Sequence, residues 1–348
     1  MKDTFEDDYL PGMSAKEIFN RLGDEKSCDI FKFRYKYLLE RNTAKLTAEI
    51  APRLFYINEN VGDVVIFGAG ALSTIYTIPN IESLGIKIKA ICDTNLSGQT
   101  ISGYDVITLS DMLDMRGDSP VVISTYTEGV CLEIRQLLLA SGVKREMLIE
   151  PSYYMLRDQY FEPDFITPLA DEVFIDAGCL DVGSILFFKN FVGDIGYKRI
   201  YAFEPSPKNY EICKANIEKH KLDDIVLIRK GLWDSYDTLL FDDDAEFGSN
   251  SISGSGCVKI ETVALDDVVG ETEKVTFIKM DIEGAELNAL FGAKGIIKRD
   301  RPRLAICVYH KPEDIINIPS YILSLNPEYK IYLRHYSPIA TETVLYAV

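Results

Sequence analysis

Apolar positions along the 348-residue chain change their spacing by region. In residues 1–61 the spacing is mixed. Ser14 stands three residues before Glu17, a capping box at a helix start, and Ile18, Phe19 and Leu22 follow on one face. Phe31 to Tyr37 alternates like a strand, yet Ile30, Phe33, Tyr37 and Leu38 also recur at helical spacing. The run continues into Leu39-Glu40-Arg41 without a turn signal, so a helix is expected. This segment reads as a helical cap with no chemistry of its own.

Residues 62–150 alternate between short apolar runs and helical spacing. Strands are expected at 64–67, 86–92, 104–107 and 121–124. Helices are expected at 72–84, ended by Gly85 as a C′ glycine, at 110–115 and at 130–140. Alternation of this kind predicts a parallel sheet covered by helices. Residues 151–171 interrupt it with Pro151, Pro163 and Pro168 among Tyr153, Tyr154, Tyr160 and Phe161. So aromatic a stretch reads as a packed interdomain connector rather than a tether. Residues 172–348 resume the alternation with seven candidate strands, at 172–176, 199–204, 226–229, 275–280, 303–309, 330–333 and 343–347. Helices lie between them, among them 208–218 and 286–298. The fold class expected is α/β, with two Rossmann-like doubly wound domains.

Composition narrows the function. Hydrophobic residues make up 47% and charged residues 26%, an ordinary globular balance. The formal net charge of −17 disfavours nucleic acid and anionic membrane as partners. Seven Cys without a CxxC pair argue for reduced, buried thiols rather than a zinc site or disulfide scaffold. No apolar stretch suits a signal peptide or a membrane span. A soluble, cytoplasmic protein is therefore expected.

The densest chemistry lies in the second α/β region. The run Val173-Phe-Ile-Asp-Ala-Gly-Cys-Leu-Asp-Val-Gly-Ser184 takes a buried strand through Asp176 into a turn framed by Gly178 and Gly183. One strand–helix unit later, Tyr201-Ala-Phe-Glu-Pro-Ser-Pro ends a strand in Glu204, where an acid can accept both hydroxyls of a ribose. Asp176 and Glu204 are thus expected on neighbouring strand tips, where nucleotides bind in such sheets. A third tip, Phe277-Ile-Lys-Met-Asp-Ile-Glu-Gly-Ala-Glu286, places Lys279 and Asp281 inside an apolar strand, which points to a polar cleft. Asp281, Glu283 and Glu286 offer hard oxygen atoms to Mg²⁺. Solvated acids at the start of the following helix are the simpler reading, and no metal site is expected. Asp242-Asp-Asp244 reads as a hydrated loop, and Gly248–Gly256 as a long hairpin loop, with a lid over the acceptor as the alternative.

Phe-Ile-Asp-Ala-Gly, Tyr-Ala-Phe-Glu-Pro-Ser-Pro-Lys-Asn-Tyr, Phe-Ile-Lys-Met-Asp-Ile-Glu-Gly-Ala-Glu and Leu333-Arg-His-Tyr-Ser together resemble the FkbM family of S-adenosylmethionine-dependent methyltransferases, over roughly residues 165–348. The resemblance implies a seven-stranded methyltransferase sheet with an antiparallel last strand. It places Asp176 and Gly178, with Gly183 in the same turn, along the methionine and ribose of the cofactor. It assigns the ribose hydroxyls to Glu204, the adenine to Leu232 and Trp233, and the methionine amino group or the reaction cleft to Asp281. Relatives with this turn commonly carry Gly where this chain has Val182, so the loop is expected to hold the cofactor in a shifted register or weakly. Asp281 and His310 are the catalytic candidates, His310 as general base. His335 is a second candidate base, and His220 is read as a surface residue.

In residues 62–150, Val65-Ile-Phe-Gly-Ala-Gly-Ala-Leu-Ser73 resembles the opening of a dinucleotide fold, with Asp93 ending the next strand. The region is similar to Rossmann-like domains that precede sugar-modifying transferases. Gly68, Gly70 and Asp93 are its candidate ligand residues, for weak binding of a nucleotide or nucleotide-sugar, with a vestigial domain that binds nothing as the alternative. The domains expected are a cap at 1–61, this domain at 62–150, a connector at 151–171 and a methyltransferase domain at 172–348. The function expected is O-methylation of a small-molecule hydroxyl, that of a sugar or glycan precursor. An NAD-dependent sugar oxidoreductase or epimerase, or a non-catalytic nucleotide-sugar scaffold, is the alternative.

Overall fold

A computed structural model of the chain describes residues 12–43, 45–46, 61–125, 128–150, 159–162, 164–241, 258–271, 273–337 and 340–348. They divide into two units. One comprises the described parts of residues 1–39, 158–335 and 342–348, the other those of 40–157 and 336–341.

The first unit is built on seven strands, β1 Val173–Ala177, β2 Arg199–Phe203, β3 Ile225–Ile228, β4 Phe277–Met280, β5 Arg303–Cys307, β6 Ile331–His335 and β7 Thr343–Ala347. Their spatial order is β6-β7-β5-β4-β1-β2-β3. β7 runs antiparallel to both neighbours, and the five strands from β5 to β3 are parallel. This is the sheet that the seven apolar runs and the family resemblance predict. All five residues of β1 and of β7 are buried, as strands covered on both faces require. Helices Gly183–Val192, Pro207–His220 and Asp314–Leu325 alternate with the strands. The helix expected at 286–298 is two shorter ones, Glu286–Phe291 and Lys294–Asp300. A small sheet of Gly231–Leu232, Thr238–Phe241 and Val258–Val263 was not foreseen, because strands this short carry little period-2 signal. The acidic and Gly/Ser-rich runs at 242–244 and 248–256 lie outside the described residues.

The N-terminal helices belong to this unit. The Ser14–Glu17 capping box is present at the start of Ala15–Phe19, and the ambiguous aromatic run is helical, within Glu25–Glu40. Leu22 bridges in parallel to Ile331, and the Leu333 amide donates to Ser27 Oγ at 2.9 Å, so residues 22–27 cover the outer edge of β6. Residues 159–162 and 166 of the connector are buried in this unit. The Phe161 ring packs against Phe174, Phe188, Phe191 and Phe277, with centroids 5.2–5.9 Å apart. Tyr153, Tyr154 and Pro163 lie outside the described residues.

The second unit is an open sheet in the order Thr100–Ile101, Tyr104–Ile107, Lys87–Cys92, Asp63–Phe67, Val121–Ile123, Leu148–Ile149. Only its first pair is antiparallel. Side chains on its two faces form two apolar clusters, one around Val64 and Ile66, the other around Val65 and Phe67. That arrangement follows from the alternation of a strand buried on both sides. Among the described residues no helix is long and apolar enough to cross a membrane.

Candidate functional site

The tips of β1, β2 and β4 frame a cavity open to solvent, lined by Gly178, Glu204, Leu232, Ile260 and Asp281 among others. Each strand ends on a residue that shapes it. After β1, Gly178 has φ +79°, and a Cβ there would lie 2.0 Å from the Asp281 carbonyl oxygen. Only glycine therefore lets the tips of β1 and β4 approach this closely. After β2, Glu204 is 4% exposed, and its carboxylate accepts hydrogen bonds from the amides of Leu180 and Ser206, both at 3.0 Å. Burial raises its pKa to about 7, against the lowering effect of those amides and of Lys279. Phe203, Pro205, Leu232 and Ile260 give the cavity apolar walls. A buried carboxylate beside apolar walls suits a nucleoside, whose ribose offers hydroxyl donors and whose base offers flat apolar faces.

Asp281, past the end of β4, accepts from Tyr160 Oη at 2.8 Å and Tyr309 Oη at 3.0 Å. Burial opposes its charge, but Lys279, His310 and the two hydroxyls outweigh it, so its pKa lies below the ordinary value. Beyond it, His310 stands among three acids. Its Nδ1 is 2.9 Å from Glu286 Oε1, and its Nε2 is 3.3 Å from Glu283 Oε2 and 3.5 Å from Asp281 Oδ1. Burial would lower the imidazole pKa, yet Glu283, Glu286 and Asp281 push it up to about 11. In this arrangement the ring already carries at neutral pH the proton that a general base would have to accept. Glu286, expected as a solvated acid at a helix start, is fully buried; it does accept the Ile282 amide at 2.8 Å.

The other expected site residues stand apart from the cavity lining. Asp176 is fully buried and paired with Lys279, with Nζ 3.0 Å from Oδ1, and it accepts from Ser184 Oγ. Lys279 and Asp176 thus form an ion pair across β4 and β1, and the ammonium donates to the carbonyls of Ala177 and Gly178. Gly183 opens the helix Gly183–Val192, its amide donating to Asp181 Oδ1 at 2.9 Å. Trp233 follows the short strand Gly231–Leu232, its amide donating to the Val263 carbonyl, and only Leu232 of the pair lines the cavity. Val182 adopts φ +68°, the left-handed conformation that glycine occupies most easily, so the turn keeps its form with a buried valine. His335 is buried, with Nδ1 2.8 Å from Thr343 Oγ1 and the Phe33 ring edge-on at 5.8 Å. His220 is exposed in the last turn of its helix. Tyr160 and Tyr309 escaped the sequence reading. Tyr309 adjoins His310 in the run that drew attention to the histidine, whereas Tyr160 lies far upstream and carries no motif.

In the second unit, Gly68 has φ +111°, and a Cβ there would lie 2.2 Å from the Ser124 carbonyl oxygen, so glycine serves strand packing. The Asp93 carboxylate, expected to reach a ribose, accepts the amides of Ala69 at 2.9 Å, Asn95 at 2.8 Å and Leu96 at 3.1 Å. It pins the glycine turn instead. Ser73, at the place of the third glycine, hydrogen-bonds to Ser124 Oγ at 2.8 Å. Gly70 is exposed, and a Cβ there would meet nothing within 4 Å.

The family match falls in the first unit, which holds the cavity. Residues 182–333 match the family model of the methyltransferase FkbM domain. The chain is 29% identical over 143 residues to the hexuronic acid methyltransferase AglP of Haloferax volcanii, a match covering 40% of this chain and 59% of that protein. The chain thus spans about three fifths of the length of this curated relative. A crystal structure of a methyltransferase FkbM from Methylobacillus flagellatus aligns with a TM-score of 0.49 at 18% identity, covering 92% of this chain and 99% of that one. An rRNA methylase from Streptococcus thermophilus aligns with a TM-score of 0.35 at 16% identity, covering 56% and 92%. Residues 182–333, set within the unit that holds the cavity, are a methyltransferase FkbM domain.

Proposed function

We propose that this unit is an S-adenosylmethionine-dependent O-methyltransferase acting on a hydroxyl of a sugar or glycan precursor. The observation that carries the reading is the buried Glu204 carboxylate at the tip of β2, facing a cavity with apolar walls inside a methyltransferase domain. When bound, S-adenosylmethionine supplies a sulfonium methyl group already activated for transfer. Glu204 would hold the two ribose hydroxyls. Leu232, Ile260 and Pro205 would enclose the adenine, and Asp281 would face the reaction cleft. The chain's main contribution is then alignment, which brings the acceptor oxygen to about 3–3.5 Å from the methyl carbon and excludes water. The sugar acceptor is supported by the hexuronic acid named for the Haloferax relative.

The test is calorimetric titration of the full chain with S-adenosylmethionine and with NAD, followed by a screen of sugar and nucleotide-sugar hydroxyls for S-adenosylhomocysteine release. Binding of the first cofactor alone, with turnover on a sugar, is expected. Binding of NAD alone would overturn the reading.

A further inference from the structure

We propose that Asp281, Glu283, Glu286 and His310 form a site for one hard divalent cation of the Mg²⁺ or Mn²⁺ class, beside the Asp281 and Glu283 wall of the cavity. Ligand atoms of Asp281, Glu286 and His310 lie within 4.8 Å of one another, and no ion is present. Glu286 Oε1 stands 2.9 Å from Nδ1, while Glu283 Oε2 and Asp281 Oδ1 stand 3.3 and 3.5 Å from Nε2 on the other side of the ring, so an ion would take one ring nitrogen and the acid across the ring would hold the other. Octahedral ligands at 2.0–2.1 Å from a metal stand about 3 Å apart.

Two further observations separate this cluster from an ordinary acidic patch. The His310 side chain is 9% exposed, and both its ring nitrogens are buried without a hydrogen bond of good geometry, although carboxylate oxygens surround them. Glu286 is fully buried, and its Oε2 has no hydrogen-bond partner. A buried carboxylate oxygen without a donor is costly. The nearby lysines are engaged elsewhere: Lys279 pairs with Asp176, and Lys311 Nζ donates to the Gly284 carbonyl. Three carboxylates face the His310 ring, with Lys279 acting on Asp281 as well, and a divalent cation would replace the ring proton as their counter-charge, releasing that proton to solvent. Carboxylates with a single imidazole favour Mg²⁺ or Mn²⁺ over thiophilic ions. The hydroxyls of Tyr160 and Tyr309 on Asp281 are the outer hydrogen bonds that orient a metal-bound carboxylate.

The proposal does not depend on methyl transfer, and its test uses neither cofactor nor acceptor. The full chain, freed of metal by chelator and dialysis, is titrated with MnCl₂ while free Mn²⁺ is followed by electron paramagnetic resonance. One Mn²⁺ per chain is expected, displaceable by Mg²⁺. Glu286→Gln and His310→Ala should weaken binding by at least the ~10–100-fold that loss of an outer partner costs. Glu283→Gln alters a half-exposed side chain and keeps the test valid if the buried variants fail to fold. It should weaken binding in the same sense. No saturable binding at millimolar Mn²⁺, or one equivalent bound equally well by folded Glu283→Gln, would overturn the proposal.

Discussion

The Lys279 ammonium lies 3.0 Å from the Asp176 carboxylate, joining β4 to β1 where both side chains are almost wholly withdrawn from solvent. Burial opposes the lysine charge, but Asp176 and Asp281 more than offset it and hold the ammonium protonated. Removing one member of such a pair leaves the other charged and buried. Lys279→Met is therefore expected to destabilise the unit by about 3–5 kcal/mol, whereas the Asp176→Asn, Lys279→Met double variant should lose much less. Urea unfolding of the three proteins measures both. A Lys279→Met loss under about 1 kcal/mol would show that the pair does not hold the strand tips together.

The proposed ribose contact of Glu204 would link pH to cofactor affinity. The Glu204 pKa is raised to about 7. A raised carboxyl favours the unliganded fold below its ordinary value, and that stability is lost as pH rises toward 7. Cofactor binding runs the other way, because ribose hydroxyls donate best to the ionised form. Affinity for S-adenosylmethionine should thus fall as pH drops from 8 to 6, approaching tenfold per unit well below 7. Glu204→Gln should flatten that slope, and Glu204→Ala should weaken binding by about 1.5–3 kcal/mol. Calorimetry across this range decides. An unchanged slope in Glu204→Gln would place the ribose elsewhere.

Much of this architecture was legible in the residue pattern because both sheets are buried on both faces. Continuous apolar runs such as 64–67 and 344–347 are difficult to place anywhere else. Glu204 and Asp281 were legible for a related reason, as acids terminating such runs at strand tips. Partner choice was not. Asp176 and Lys279 are both polar breaks in apolar strands, and nothing in their spacing says that they neutralise each other rather than a ligand. The same holds for Asp93, whose place after a strand suits a ribose as well as it suits the amides of Ala69, Asn95 and Leu96. Burial of Glu286 depends on the return of His310 through the following strand, and Tyr160 reaches Asp281 across 121 positions of sequence. A local pattern carries none of that information.

Gly178 tests whether the close approach of β1 and β4 sets the cavity's shape. An alanine methyl would have to displace the Asp281 carbonyl, in a left-handed conformation that is already unfavourable for alanine. Gly178→Ala is expected to cost more than the roughly 1–3 kcal/mol of a strained backbone alone, and to weaken cofactor binding in whatever fraction folds. Thermal melting and calorimetry measure the two effects. Wild-type values for both would mean that the tips can part without consequence.

The sequence expects a methyltransferase domain at 172–348 with a separate cap at 1–61, and the fold makes the N-terminal helices part of the same unit as that domain. Asp24 Oδ2 lies 2.7 Å from Arg334 on β6, and the Gly23 amide donates to the Ile331 carbonyl at 2.8 Å. Burial raises the Asp24 pKa, but Arg334 and Ser27 outweigh it and bring the value down to about 2. The stability this contact contributes is therefore present above the ordinary carboxyl value near 4 and lost as pH falls toward 2. A fragment of residues 159–348 would bare the outer edge of β6, with its unpaired backbone groups and the apolar surface under Phe31 and Phe33. Exposed strand edges of that kind pair with other chains. The fragment should melt below the full chain and aggregate on concentration, and a peptide of residues 12–40 added in trans should reverse both. Light scattering and melting curves with and without the peptide are the measurements. A fragment that stays monomeric and melts with the full chain would reduce the N-terminal helices to a covering with no part in stability.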